Sequence, residues 1–477
     1  MDAFLRGFLE AFERGVCDPV QLARLGETEP ALAAAALLAA GADPDLAAER
    51  VRWLPELLRT ARPGFGARTL QELARARRDE GLPPLDLVRM RWLPRLLGSS
   101  NFLARLLLRA PRLAEDVAGD PPPAPTKFPA ADWSAIREAK YRGLLCIAAR
   151  DLAERPFAEG LRELSDLADR CLAAGLVCAA ELTGVEAPSL LALGKLGGRE
   201  LNFSSDVDLL FLYDVPSGPE DETRNVAVAR LVRVLKAGLE RAEVDGFSYR
   251  VDLDLRPEGA QGPLANSVDA AVGYYESFGH DWERQMLIRL RHVAGPPGAA
   301  DAFARSVTPF VYRKLIDARA PRAVRAMKLR IEEERRRAGR DLEVDLKEGP
   351  GGIRDVEFLV QALQLFHGGR HPAIRTGNVL DALAILAREG LLPERASEEL
   401  TKAYTWLRRT EHALQMVEER QTQRFPREPD AQLGLARRMG YAEPEAERAR
   451  SRLLDDWTSV RLAVRNHFDA LVLGGEV

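Results

Sequence analysis

Aromatic residues are scarce in this chain, 6% of 477, and that scarcity argues against a sheet-dominated fold, whose strands draw on aromatic and β-branched side chains. Cysteine is sparser still. Cys17, Cys146, Cys171 and Cys178 show no C-x-x-C spacing, which excludes a zinc ribbon or a disulfide framework and leaves packed free thiols. The six histidines read as individually placed, with no zinc site among them. No apolar run is long enough for a bilayer, since the alanine-rich stretch Ala31 to Ala42 falls short of the roughly 20 residues that a span requires. The N-terminus, MDAFLRGFLEAFERG, is amphipathic and already acidic, unlike a signal peptide, so a cytoplasmic protein with no membrane partner is expected. Charge of one sign is lacking too: 68 basic and 72 acidic residues give a formal net charge of −4. That balance argues against a nucleic-acid coat or a membrane-surface binder, and any phosphate handling must be local.

What the chain has in plenty is Ala, Leu, Arg and Glu, the composition of packed helices. The expected fold class is therefore α+β and predominantly α-helical. Residues 1–125 read as an N-terminal region of short amphipathic helices, separated by breakers such as Asp43-Pro44 and Pro83-Pro84. The run Pro121 to Pro129, PPPAPTKFP, cannot hold a helix and reads as a linker, with a domain boundary near 125. Residues 126–300 form the second segment, in which helix signals run from Asp132 to Leu182 and a sheet core of four to six strands is expected at about 188–295. Residues 301–477 read as a C-terminal helical bundle, with helices near 378–389, 394–420, 430–439 and 444–470.

The stretch from Leu190 to Asp214, LLALGKLGGRELNFSSDVDLLFLYD, carries the chemistry. Alternation over Val207, Leu209, Phe211 and Tyr213 puts Asp206 and Asp208 on one face of a strand. Two carboxylates so close repel each other, and a divalent cation is the usual way to keep both ionised. Gly197 and Gly198, just upstream, allow backbone N–H groups to approach a phosphate. Together these features imply nucleotide chemistry, and a Gly-Gly turn, a spacer and a D-x-D strand resemble the nucleotidyltransferase superfamily related to DNA polymerase β.

A second strand, SYRVDLDLRPEG, should turn Tyr249, Val251, Leu253 and Leu255 one way and Arg250, Asp252, Asp254 and Arg256 the other. A whole charged face implies a cleft or a solvent edge, because burying it unpaired is prohibitive. Asp281-Trp282-Glu283-Arg284 opens a helix running towards Arg291, either as an exposed charged face or as part of the site. A second glycine-rich run, KEGPGGIRDVEF, leads into a helix with an apolar stripe of Ile353, Val356, Val360 and Leu363. Its polar stripe, Arg354, Glu357, Gln361 and Gln364, starts at a helix N-terminus suited to an anion.

With these residues in view, GKLGGRELNFSSDVDLLFLY, YRVDLDLRPEGAQGPLANS, YYESFGHDWERQMLIRLRHVAG and DLKEGPGGIRDVEFLVQALQLFHGGR together resemble the bifunctional glutamine synthetase adenylyltransferase and adenylyl-removing family. The resemblance implies a polymerase β-like mixed sheet core and covers one of the family's two homologous halves. NFSSD and DWER are similar to the N-terminal, adenylyl-removing half. The implied reaction is phosphorolysis of a tyrosyl–AMP bond on glutamine synthetase, releasing ADP. ATP-dependent adenylylation, or nucleotide sensing without turnover, stay open as alternatives.

The resemblance implies that Asp206, Asp208 and Asp252 are catalytic and hold magnesium, two ions in all, with Asp254 a further candidate ligand. The family strand commonly has Arg at the position of Asp254. Gly197, Gly198 and Ser205 would bind phosphate oxygens, with Lys195, Arg199, Arg250 and Arg256 as further phosphate partners. Lys347, Gly351, Gly352, Arg354 and Glu357 form a second set of contacts. Implied partners are glutamine synthetase, ADP or ATP, and inorganic phosphate, with PII signal proteins as an open regulatory partner and no nucleic acid.

Overall fold

The computed structural model describes residues 3–118, 132–152, 155–215, 218–244, 246–314 and 320–473. The proline-rich run 121–129, with the boundary expected near 125, lies outside them. Helices dominate, and a small mixed sheet of five strands accompanies them, as the composition implies. Among the described residues, no single helix is long and apolar enough to cross a membrane.

Two compact units interleave in the sequence where three consecutive segments were expected. The first comprises Met1–Pro122, Arg142–Gly160 and Leu407–Val460. Its helices are short because proline repeatedly opens them, as in Pro19–Arg24, Pro30–Ala42 and Pro63–Asp79, where the missing N–H costs nothing. Trp53, Leu57, Leu70, Leu97 and Leu107 are fully buried at their contacts. The Trp53 indole donates to the Leu46 carbonyl at 3.0 Å, so its burial leaves no polar group unpaired.

The second unit comprises Pro123–Tyr141, Leu161–Trp406 and Arg461–Val477, and it holds the sheet. Its strands are β1 Ser189–Ala192, β2 Val207–Tyr213, β3 Val251–Asp252, β4 Asn266–Ser267 and β5 Arg291–Ala294. The order is β3-β2-β1-β5, with β4 also pairing β2. β1 runs antiparallel to β2 and β5, while β2 runs parallel to β3 and β4. β2 is buried along almost its whole length, the signature of a central strand covered on both faces. Leu191, Leu193, Leu210 and Leu212 pack with Tyr275, Leu287 and Phe303 in one core. The helix Pro219–Glu240 buries Val228, Leu231, Leu235 and Leu239, the stripe that its spacing predicts.

Three expectations are corrected. The charged strand pairs over only two residues, Val251 and Asp252: the Asp252 carboxylate accepts the Asp254 N–H at 2.8 Å, an Asx turn that ends the ladder. Tyr249, Val251 and Leu253 do point inward, but Arg256 is 6% exposed instead of lying on an open charged face. The helix from Asp281 stops at Leu287, and Arg291 opens β5. The helix Ile353–His367 is buried nearly all round, with Glu357, Gln361 and Gln364 inside, so its polar stripe serves internal bonds. The Gln364 amide, for example, donates to the carbonyls of Ile374 and Thr376 at 2.7 and 2.8 Å.

The histidines also depart from expectation at one place, where His367 and His371 lie four residues apart with ring centroids 6.1 Å apart. All four cysteines are buried free thiols.

Candidate active site

The parallel register of β2 and β3 sets Asp208 directly beside Asp252. Asp206 ends the loop that leads into β2, and its carboxylate takes the Arg250 guanidinium. The backbone holds this corner firmly, since Val207 N–H donates to the Arg250 carbonyl at 3.0 Å and Leu193 N–H to the Asp208 carbonyl at 2.9 Å. The pairing of β2 with β3 therefore brings Asp252 beside Asp208, 44 positions away in sequence, with Asp206 two residues before Asp208.

Burial, the neighbouring Asp252 and then Asp206 push Asp208 up to about 6, with Lys347 and Lys195 acting in the opposite direction. No hydrogen bond reaches its carboxylate among the described residues. Among the same residues, no group of three or more histidine, cysteine, aspartate or glutamate side chains stands ready to hold an ion, because Asp206 faces Arg250. The donor set nonetheless fits a divalent cation at the Asp208–Asp252 pair, two hard oxygen ligands whose mutual repulsion a cation would relieve.

A cleft of about 410 Å³ adjoins the pair, lined by Asp206, Arg233, Lys236, Arg250, Asp252 and Asp254 among others. Asp254 is 75% exposed and only 3.9 Å from Arg256. Arg256, expected to meet phosphate, is turned to the carbonyls of Leu253, Ala260, Gly262 and Pro263. It organises its own loop.

The glycine turn is built for close packing. A Cβ on Gly197 would lie 1.9 Å from the Arg289 carbonyl oxygen, and one on Gly198 would lie 2.7 Å from that of Gly377. The residue touching the carboxylates is instead Gly194, at φ +53°, where a Cβ would fall 2.0 Å from Asp208 Oδ2. Arg199 has φ 54° and pairs with Asp166 at 3.5 Å. The Ser205 hydroxyl accepts from the Asn202 N–H at 3.3 Å. Lys195 lies within electrostatic reach of Asp208.

Of the second glycine run, Lys347 alone comes within electrostatic reach of Asp208. A Cβ on Gly351 would lie 2.1 Å from the Arg461 carbonyl oxygen, and Gly352 is hemmed in by the Leu346 carbonyl at 2.6 Å. Arg354 pairs with Glu348 at 3.0 Å, and Glu357 with Arg289 at 3.1 Å. In the Asp281 helix, Glu283 takes the His280 N–H at 2.8 Å and the Tyr274 hydroxyl at 3.0 Å. Arg284 donates to the Val311 carbonyl, so both groups are buried ties of the fold.

Residues 90–306 match the family model described as glutamate-ammonia ligase adenylyltransferase. Residues 90–306, less than half of the chain, are thus similar to that family. It is a nucleotidyltransferase family, in keeping with the D-x-D corner. Residues 325–472 match a model described as GlnD PII-uridylyltransferase. Similar curated proteins are bifunctional glutamine synthetase adenylyltransferase/adenylyl-removing enzymes. The one from Nitrosococcus oceani is 40% identical over 65% of this chain and 34% of its own length. That from Thioalkalivibrio sulfidiphilus is 38% identical over 74% and 40%, and that from Stenotrophomonas maltophilia 40% identical over 77% and 41%. The chain thus spans between a third and two-fifths of the relatives' length.

Over residues 90–306, sequence reasoning missed Gly194, Arg233, Glu200 and Arg289; with Glu357, expected instead among the second set of contacts, Glu200 and Arg289 form a buried trio. Arg289 lies 3.4 Å from Glu200 and 3.1 Å from Glu357. Glu200 also accepts the Val379 N–H at 3.1 Å, which ties the glycine turn to the helices behind it. Gly194 carried a legible signal, being the first glycine of LGKLGG at a strand end. The trio carried none, because its members lie far apart in sequence.

Proposed function

We propose that this chain is a magnesium-dependent nucleotidyltransferase that removes AMP from an adenylylated tyrosine of glutamine synthetase, with inorganic phosphate as acceptor and ADP as product. The observation that carries this reading is the Asp208–Asp252 pair, two adjacent carboxylates of which Asp252 lines the cleft. The NFSSD and DWER wording favours removal over attachment.

Asp208 and Asp252 are the residues that would hold magnesium, with Asp206 as a third carboxylate. Bound there, the ion supplies positive charge to the phosphoryl oxygens and to the departing phenolate. Phosphate oxygen attacks the α-phosphorus in line, the bond from phosphorus to the tyrosyl oxygen breaks, and the phenolate gains a proton. Phosphate arrives as an anion, so no side chain must act as its base. Lys195 and Lys347 contribute positive charge around the carboxylates, which favours an incoming anion. Arg250, held by Asp206, limits the repulsion at the strand mouth.

The test is incubation of the chain with adenylylated glutamine synthetase, magnesium and phosphate, with ADP as the readout. Phosphate-dependent ADP release supports the proposal. AMP incorporation from ATP without phosphorolysis moves the assignment to the attaching direction, and silence in both directions moves it to nucleotide sensing.

A further inference from the structure

The second glycine run is held from behind by a fully buried cation that the reaction does not use. Lys328, on the helix Ala320–Arg337, is 0% exposed. Its ammonium donates to the Glu348 carbonyl at 2.7 Å and pairs with Asp355 at 2.9 Å and Glu332 at 3.3 Å. Asp355, also fully buried, accepts the Gly351 N–H at 2.7 Å and faces Arg465 at 3.6 Å. Arg461 adds a second clamp, donating to the Pro350 carbonyl at 2.9 Å and to the Glu343 carbonyl at 2.5 Å. All these groups lie in the sheet-bearing unit.

The clamped backbone leads to a half-buried lysine, Lys347. Lys347 N–H is fixed by Asp345 Oδ1 at 2.9 Å, and the Lys347 carbonyl accepts the Arg354 N–H at 3.0 Å. The Lys347 ammonium itself holds no hydrogen bond or ion pair among the described residues. Buried charges are costly, and a network of them gains little stability over an apolar core. Its physical advantage is fixed geometry.

We propose that Lys328 is a positioning residue which, through the Glu348 carbonyl and Asp355, sets the loop that presents Lys347 to the phosphoryl groups of a nucleoside diphosphate lying over the β2 and β3 carboxylates. Arg461 is its partner in the same task. The proposal rests on the adenylyl-transfer reading for its ligand, though not for its loop mechanics.

The experiment is a double-mutant cycle read by affinity for a fluorescent ADP in saturating magnesium, together with hydrogen exchange at amides 346–353. Lys347→Met should weaken ADP about tenfold, as loss of a charged phosphate contact does. Lys328→Met and Arg461→Gln should each weaken it several-fold and speed exchange in the loop. In the Lys347→Met background neither should weaken ADP further. Multiplying losses in the double variants, or a loosened loop with unchanged ADP affinity, overturns the proposal. If Lys328→Met does not fold, Arg461→Gln, at a half-buried position, decides alone. A wild-type chain that binds no ADP sinks the adenylyl-transfer reading. In that case loop exchange still decides whether Lys328 holds the loop, and unchanged exchange overturns the positioning role.

Discussion

Two sets of carboxylates in the same unit are treated in opposite ways. Glu200, Glu357 and Asp355 are buried, and each has a cation and often a backbone N–H against it. Asp208 has another carboxylate for its neighbour and, among the described residues, no hydrogen bond to its own carboxylate. The first arrangement makes the charge part of the scaffold. The second sets one carboxylate against another, which disfavours the charged form in the protein alone. A functional site is thus recognisable as the place where a rule obeyed elsewhere in the unit is broken.

The largest expected effect breaks that site. Asp208→Asn, or Asp206→Asn, should lower adenylyl-removing turnover by at least about a thousandfold, as loss of a charge that stabilises a transition state does. The circular dichroism spectrum should be unchanged, since Asn keeps the size and shape of each side chain. Near-normal turnover in magnesium would remove both residues from the catalytic set.

Next comes the scaffold. Arg289→Met removes the buried cation that faces Glu200 and Glu357 and should cost about 3–5 kcal/mol in denaturant unfolding. A loss below about 1 kcal/mol would erase the contrast between the two sets.

The third test uses pH, and its sign follows from the raised value of Asp208. Folding lifts this carboxyl to about 6 from its ordinary 3.8, so ionisation penalises the native state at high pH and the penalty is lifted as pH falls. In metal-free protein, Asp208→Asn should therefore be more stable than wild type at pH 8, by roughly 2 kcal/mol. The gain should shrink near pH 5 and vanish below about pH 4. Calorimetry at these pH values with and without magnesium checks it, and magnesium should raise the wild-type melting temperature at pH 8 while leaving the variant nearly unmoved. A variant that is less stable at pH 8 contradicts the account.

The smallest effect separates neighbours on β3. Asp254 is exposed and weakly paired, so Asp254→Asn should change stability by no more than about 0.5 kcal/mol and turnover only modestly. Asp252→Asn should approach the Asp208 variant. The reverse ranking in ADP release would transfer the ligand role to Asp254.

Much of this was legible in order along the chain. Helical composition, the strand Val207–Tyr213, the helix beginning at Ile353, and the resemblance carried by NFSSD and DWER all follow from local pattern, because burial repeats every two residues in a strand and every 3.6 in a helix. What pattern misjudged were residues with two uses. Arg256 reads as a charged face, yet a guanidinium with five donors can close a loop of free carbonyls. Gly197 and Gly198 read as a phosphate cradle, yet their missing Cβ atoms admit the carbonyls of Arg289 and Gly377.

The sequence by itself determined which residues carry charge, where the strand Val207–Tyr213 and most helices lie, and which family the residues 90–306 resemble. Only the tertiary structure decided which charges meet. Asp208 and Asp252 are 44 positions apart, Lys328 and Asp355 27, and Glu200 and Tyr404, joined at 3.3 Å, 204. Electrostatic energy depends on distance and burial in space, and spacing along the chain encodes neither. The same aspartate type therefore becomes a scaffold tie at Asp355 and a carboxylate set against another carboxylate at Asp208.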